Sequence, residues 1–62
     1  MTNIKSVKKL NDNGKFTNTY RVVKSDNKEI WVPNAEDNMD YQEILLWMKE
    51  DEINNIIEEE DF

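Results

Sequence analysis

Pro33 is the only proline among 62 residues, and it divides the chain into two unlike halves. The residues before it are rich in Thr, Val, Tyr and Phe, which favour β-strands. The residues after it repeat large apolar side chains at helical spacing and end in carboxylates. Because proline has no amide hydrogen to donate within a sheet, Pro33 is predicted to close the last strand before a helix. The sequence therefore predicts an α+β fold.

Two turn signals divide the first half. Asn13-Gly14 is typical of a two-residue type I′ hairpin turn, in which both central residues need a positive φ. Ser25-Asp26-Asn27-Lys28 is a second polar turn. We predict that residues 1–33 form a three-stranded antiparallel β-meander, with strands at about 3–11, 15–24 and 28–33.

The first turn predicts a register that places Val7 opposite Tyr20. One face of the sheet then carries Val7, Phe16, Tyr20 and Val22, and the other carries Ile4, Leu10 and Val23. A two-residue second turn would place Trp31 on the Tyr20 face, whereas a three-residue loop would place it on the opposite face. Both registers leave apolar groups on two faces, and one helix covers only one of them. The uncovered face is a candidate contact surface.

The helix is predicted over residues 38–50, after a linker at 34–37. Its first turn can be capped by Asn38, or by Asp40 together with Glu43. At about 100° per residue, one apolar stripe is formed by Tyr41, Ile44, Leu45 and Met48. Leu46 and Trp47 lie off that stripe, so they either widen the core contact or anchor a partner.

The last segment, 51–62, is predicted to be a short helix and acidic tail, because Ile53, Ile56 and Ile57 keep helical spacing. Residues 1–62 form a single small domain. A chain of this length buries only about 60% of the surface that its unfolded form exposes. It has no cysteine for disulfides and no histidine for a zinc site. Oligomerisation or docking on a larger partner is the remaining way to bury apolar surface.

Charge is distributed unevenly around a net value of −6. Residues 1–31 have seven Lys or Arg against three Asp or Glu, a local charge of +4, while residues 32–62 have a local charge of −10. Such asymmetry is explained either by attraction between the two halves within one fold or by binding to an oppositely charged partner.

The composition argues against catalysis. There is no histidine to act as a base and no cysteine nucleophile, and the single Gly14 excludes a glycine-rich phosphate loop. The carboxylates have no EF-hand spacing, so we expect neither a metal site nor a cofactor. No segment has the pattern of a secretory signal or a membrane span. Direct nucleic-acid binding is not expected of an acidic chain whose aromatic residues are needed for its core.

One segment resembles a known group of proteins. Val32-Pro33, then Asn38-x-Asp40-Tyr41-Gln42, then Leu45-x-Trp47 resembles a V-P-x4-N-x-D-Y-Q-x2-L-x-W segment in small tailed-bacteriophage proteins of the tail, tail-fibre or neck region. In those proteins a G-N-T-I-E-E-A-D-like end commonly follows, whereas Glu52 or Ile53 stands here where the glycine is expected. The resemblance covers residues 32–61 and implies a phage origin rather than a particular chemistry.

These observations predict a non-enzymatic bacteriophage structural or assembly protein, present in the virion or in the host cytoplasm during infection. It would dock on a larger phage structural protein through its apolar sheet face, its edge strand or its helix, in several copies or as a homo-oligomer. The candidate interface residues are Trp31, Leu46, Trp47, Ile4, Leu10 and Val23. The alternative is an acidic phage inhibitor of a host protein that imitates the phosphates of DNA.

Overall fold

A computed structural model describes residues 2–61 of the chain. Its elements are β1 (Ile4–Asp12), β2 (Lys15–Lys24), β3 (Glu29–Pro33), α1 (Met39–Glu50) and β4 (Glu58–Asp61). The four strands form one sheet in the order β3-β2-β1-β4. The first three strands are antiparallel neighbours, and β4 lies parallel to β1. The predicted α+β class is confirmed, but the predicted three-stranded antiparallel sheet is wrong, since the sheet is mixed and has four strands.

The fourth strand corrects the prediction of a helical acidic tail. Glu58–Asp61 pairs in parallel with residues 8–11 of β1, so that Glu58 lies beside Lys8 and Glu59 beside Lys9. Asp and Glu are poor strand formers, and nothing in the local sequence favours a strand there. Its hydrogen-bonding partner is β1, which the fold brings alongside. Phe62, which the predicted tail included, lies outside the described residues.

The first hairpin has the predicted turn but not the predicted register. Asn13 and Gly14 have φ of 52° and 78°, as a type I′ turn requires. Asn11 pairs with Phe16, but Lys9 pairs with Tyr20, so residues 17–19 of β2 stand opposite one residue of β1. This bulge contains Asn18, whose φ is 59°.

The bulge and a second irregularity change which residues meet on β1. Val7 lies opposite Val22, not opposite Tyr20 as predicted. Nearer the start of β1, an extra residue at Lys5 interrupts the pairing between Ile4 and Ser6. Ile4 is therefore buried in the same core cluster as Val7. The prediction that Ile4 lies on the opposite face is wrong, because a bulge reverses the alternation of side chains along a strand.

The second hairpin has a three-residue loop. Lys24 donates its amide hydrogen to the Lys28 carbonyl, and the Asn27 amide bonds back to Lys24. Asn27 has a φ of 68°, which completes a type I turn followed by a left-handed residue. Of the two registers that the sequence allowed, the loop therefore selects the one that pairs Trp31 with Arg21.

The helix begins as one of the two capping predictions describes. The Asn38 side chain accepts a hydrogen bond from the Tyr41 amide at 3.0 Å, which makes Asn38 the N-cap. At the other end, the Asn55 side chain donates to the Trp47 carbonyl at 2.8 Å, satisfying one of the last helical carbonyls. The helix thus stops well before β4.

The buried stripe of α1 is rotated relative to the predicted one. Ile44 and Trp47 are its two buried residues, with exposed fractions of 0% and 5%, whereas Leu45 is half-buried. They pack on a core cluster completed by Ile4, Val7, Val22 and Val32. The rotation decides one open question: Trp47 belongs to the core.

Candidate interaction surface

Among residues 2–61, the helix packs on one face of the sheet, and no second helix packs on the other. Tyr20 lies on the covered face, where its ring stacks on Tyr41 of α1 with centroids 6.1 Å apart. Successive residues of a strand point to opposite faces, so Arg21, the neighbour of Tyr20, points away from the helix. The register places the following residues on the face with Arg21, which we call the open face: Lys8, Leu10, Val23, Glu29, Trp31, Glu58 and Glu60.

Arg21 lies at the centre of the charges on the open face. Its Nη2 atom is 3.3 Å from Glu60 of β4, and its Nη1 atom is 3.7 Å from Glu29 of β3. Glu60 also lies 3.8 Å from the Lys8 ammonium. One guanidinium therefore contacts a carboxylate from each of the two edge strands, on the same face of the sheet. Its Nε atom is buried and has no hydrogen-bond partner among residues 2–61.

These pairs bear on the uneven charge of the chain. Glu60 binds cations of β1 and β2, and Glu43 of α1 lies 3.2 Å from the Lys24 ammonium. Carboxylates of the second half thus neutralise cations of the first half. Half-exposed pairs of this kind contribute at most about 1 kcal/mol each. They support the interpretation that the two halves attract each other within one fold, although a net charge of −6 remains.

Trp31 is the large apolar side chain exposed on the open face. It is 60% exposed and stands beside Arg21 on the neighbouring strand. Val23 on the same face is half-buried, and Leu10 is almost fully buried at 4% exposure. Within residues 2–61, the open face thus has one exposed aromatic group, with charged side chains beside it.

The six candidate interface residues predicted from the sequence differ in how exposed they are in the structure. Trp31 and Leu46 are exposed, and Val23 is half-buried. Ile4, Leu10 and Trp47 are each less than 9% exposed and offer little surface to a partner. Trp31 and Val23 share the open face, whereas Leu46 lies on the helix and is not brought together with them.

A second exposed apolar group lies on and beyond the helix, at Met39, Leu46, Ile53 and Ile56. Next to it, an open groove of about 380 Å³ lies between the end of α1 and the following turn, lined in part by Leu45, Met48 and Ile56. Sequence reasoning did not single out Met39, Ile53 or Ile56 as interface residues. Part of the signal was present, because Met39 and Leu46 are seven residues apart, a spacing that places both on one side of a helix. Ile53 and Ile56 follow the end of the helix, so this spacing does not apply to them.

Few side chains in the described residues have an altered pKa. Burial, assisted by the neighbouring Tyr41, raises the pKa of Tyr20. Hydrogen bonds from Thr2 lower the pKa of Glu50, and hydrogen bonds from Asn54 and Ile53 lower that of Asp51. Tyr20 lies on β2 against the helix residue Tyr41, and Glu50 and Asp51 lie at the end of the helix. None lies on the open face.

Two further classes of site were sought in residues 2–61. This part of the chain contains no cluster of three or more His, Cys, Asp or Glu side chains with the geometry to hold a metal ion. Within the same residues, no helix has the length and apolar character needed to cross a membrane.

Comparison with known proteins gives no match: no family model, no curated protein and no solved structure resembles the chain closely enough to be counted. The most distinctive feature of the protein surface is the open face, with Trp31 beside the Arg21 ion pairs.

Proposed function

We propose that this protein is a non-enzymatic bacteriophage structural or assembly protein that docks on a larger tail, neck or capsid protein through its open face. The observation that carries the docking proposal is the exposure of Trp31 on strand β3, next to the ion-paired Arg21. Tryptophan and arginine are the residues most enriched at energetic centres of protein interfaces. The phage assignment is supported by the resemblance of the segment from Val32 to Trp47.

The free energy available at Trp31 is large for so small a protein. A tryptophan buries about 150–250 Å² when it is fully covered. Covering the 60% of Trp31 that is now exposed would contribute roughly 2–4 kcal/mol. The charges around it would form a polar rim, which sets orientation more than affinity. A core of this size gains proportionally more from such a contact than a larger domain would.

Mass spectrometry of purified virions and of assembly intermediates tests the phage assignment. We expect the chain at a fixed number of copies per particle, and its absence from both kinds of sample would overturn the proposal.

Trp31→Ala tests whether the open face is the docking surface. It should reduce incorporation at least tenfold, as the loss of about 1.4 kcal/mol or more implies. Leu46→Ala, which removes a comparably exposed apolar side chain from the helix, is the matched control.

The second candidate is an acidic phage protein that inhibits a host protein by imitating DNA. The observation that favours it is the strand β4, where Glu58, Glu59 and Asp61 are exposed at one edge of the sheet. An extended strand spaces side chains on one face about 7 Å apart, which makes a regular row of negative charge. Capture of one stoichiometric host enzyme, released as salt is raised, would favour this candidate. Capture that persists in high salt would favour an apolar contact instead.

A further inference from the structure

The two edges of the sheet are β3 and β4, and β3 has an unpaired side. The register of β2 with β3 shows which of its groups are free. Lys24 donates to the Lys28 carbonyl at one end of the pairing, and Asn34 donates to the Asn18 carbonyl at the other. In an antiparallel pair, hydrogen-bonded and non-hydrogen-bonded positions alternate. Every second residue of β3 therefore directs its amide and carbonyl groups away from β2.

Counting from Lys28, the residues of β3 that bond to β2 are Ile30 and Val32. The backbone groups of Glu29 and Trp31 point outward. Pro33 also points outward, but it has no amide hydrogen, and its carbonyl already accepts a hydrogen bond from Ala35 at 2.9 Å. Among residues 2–61, the free groups of this edge are thus two donors and two acceptors, at Glu29 and Trp31.

We propose that two copies of this chain pair through β3, antiparallel about a two-fold axis that passes by Ile30. In that register Glu29 of each copy lies opposite Trp31 of the other, and Ile30 lies opposite its own equivalent. Each Glu29–Trp31 pair exchanges two hydrogen bonds, so the four free donors and four free acceptors of the two copies are all satisfied. A register centred on Trp31 would instead rely on the Pro33 carbonyl.

The side chains at the edge agree with this register. Ile30 packs against the core and is only partly buried in the single chain. In the pair, the two Ile30 side chains would meet at a non-hydrogen-bonded position, where Cα atoms are about 4.5 Å apart. On the open face, the two Trp31 rings would be diagonal neighbours, within the reach of aromatic side chains. Both faces therefore gain apolar contact.

The charge distribution favours this edge over the other. β4 consists of four carboxylate residues, so pairing two copies through it would bring like charges together. Pairing through β3 places the two β4 strands at the far ends of an eight-stranded sheet, seven spacings or about 34 Å apart. That distance is several times the Debye length of about 8 Å at physiological salt. Each Glu29 at the new contact already has Arg21 as a partner.

A strand of five residues gives a contact of small area. We therefore expect a reversible dimer that forms over about 10 µM to 1 mM, not an obligate one. The pairing is independent of the proposed function, and it leaves the open faces of the two copies continuous. A dimer without incorporation into particles, or incorporation as a monomer, would separate the two proposals.

Amide hydrogen exchange on the unaltered protein tests the pairing at single residues. The amides of Glu29 and Trp31 should become at least tenfold more protected as concentration rises from about 10 µM to 1 mM. Those of Ile30 and Val32 serve as internal controls, because they bond within the chain and should not respond. Exchange at Glu29 and Trp31 that does not depend on concentration would overturn the proposal.

Two variants test the register. Trp31→Pro removes an outward amide and should give a monomer at all concentrations in sedimentation analysis, while Leu46→Ser should still dimerise.

Because proline can disturb folding, a second test introduces a single cysteine, which is possible because the chain has none of its own. Ile30→Cys should form a disulfide-linked dimer on mild oxidation, since position 30 meets its own equivalent. Val23→Cys, on an inner strand, should not, and equal cross-linking of both variants would contradict the register.

Discussion

The two tryptophans of this protein mark two unlike regions. Trp47 is 5% exposed and belongs to the core between α1 and the covered face of the sheet. Trp31 is 60% exposed on the open face, beside the ion-paired Arg21. The same residue type thus stabilises the fold in one place and is exposed to solvent in the other. The difference shows that the burial of a tryptophan, not its presence, decides whether it stabilises the fold.

The two faces also differ in the kind of interaction that holds them. The covered face packs Val7, Val22 and Val32 against the helix residue Ile44, and all four side chains are less than 2% exposed. The open face joins its strands through Arg21, Lys8 and two carboxylates. Apolar burial contributes far more per residue than exposed ion pairs do. Substitutions on the covered face should therefore cost stability, and substitutions on the open face should mainly change binding.

The largest expected difference is between alanine substitutions of the two tryptophans. Trp47→Ala should lower the free energy of unfolding by about 3–5 kcal/mol, because it leaves a cavity in the core. Trp31→Ala should change it by no more than about 0.5 kcal/mol. Urea denaturation followed by circular dichroism, at a concentration low enough to exclude association, measures both. Equal losses would contradict the assignment of the two regions.

A smaller effect is expected at the cap that starts the helix carrying Trp47. Asn38→Ala removes the acceptor for the Tyr41 amide and should cost about 1 kcal/mol. Asn34→Ala, at an exposed position of the preceding linker, is the matched control and should be nearly neutral. A neutral Asn38→Ala would mean that another group caps the helix, such as the Asp40 and Glu43 pair that the sequence also allowed.

The ion pairs of the open face should contribute less to the free energy of unfolding than the helix cap does. Glu60→Gln removes the carboxylate shared by Lys8 and Arg21 and should cost about 0.2–1 kcal/mol at low salt. The loss should shrink as salt is added, because these charges are half-exposed. Glu58→Gln, on the same strand and the same face, should cost less. A salt-independent loss at Glu60 would show that packing, not charge, holds β4.

The smallest expected effect is on the pH dependence of stability, through Asp51 at the end of the helix. Hydrogen bonds from Asn54 and Ile53 lower the pKa of Asp51, so the folded state favours its ionised form. That contribution is full above the ordinary pKa of an aspartate and is lost as the pH falls through the lowered value. Asp51→Asn should therefore flatten the dependence of unfolding free energy on pH below the ordinary aspartate pKa of about 3.9. Glu52→Gln is the control, and an unchanged slope in Asp51→Asn would contradict the assignment.

Residues with strong local conformational preferences predicted the first turn and the start of the helix correctly. Asn13-Gly14 specified its turn because positive φ is tolerated there, and Asn38 specified the helix start through its side-chain oxygen. The register was not predictable, because the bulges at Lys5 and at residues 17–19 have no local signature as strong as a turn. The candidate surface was predicted in part. The sequence named Trp31 as an interface residue, but the face on which Trp31 lies depended on the length of the loop between β2 and β3, which the sequence left open.

The sequence by itself determined the α+β class, through its pattern of strand-forming and helical residues. It determined the first turn and the end of the third strand through the conformational limits of Gly14 and Pro33. It allowed two helix caps, and the structure has Asn38. Only the tertiary structure decided the position of the acidic end. Glu58–Asp61 has little tendency to form a strand alone, and it pairs because the fold brings the basic strand β1 beside it. The burial of Trp47 was decided in the same way, since the helix rotates to the orientation in which its largest side chain leaves water.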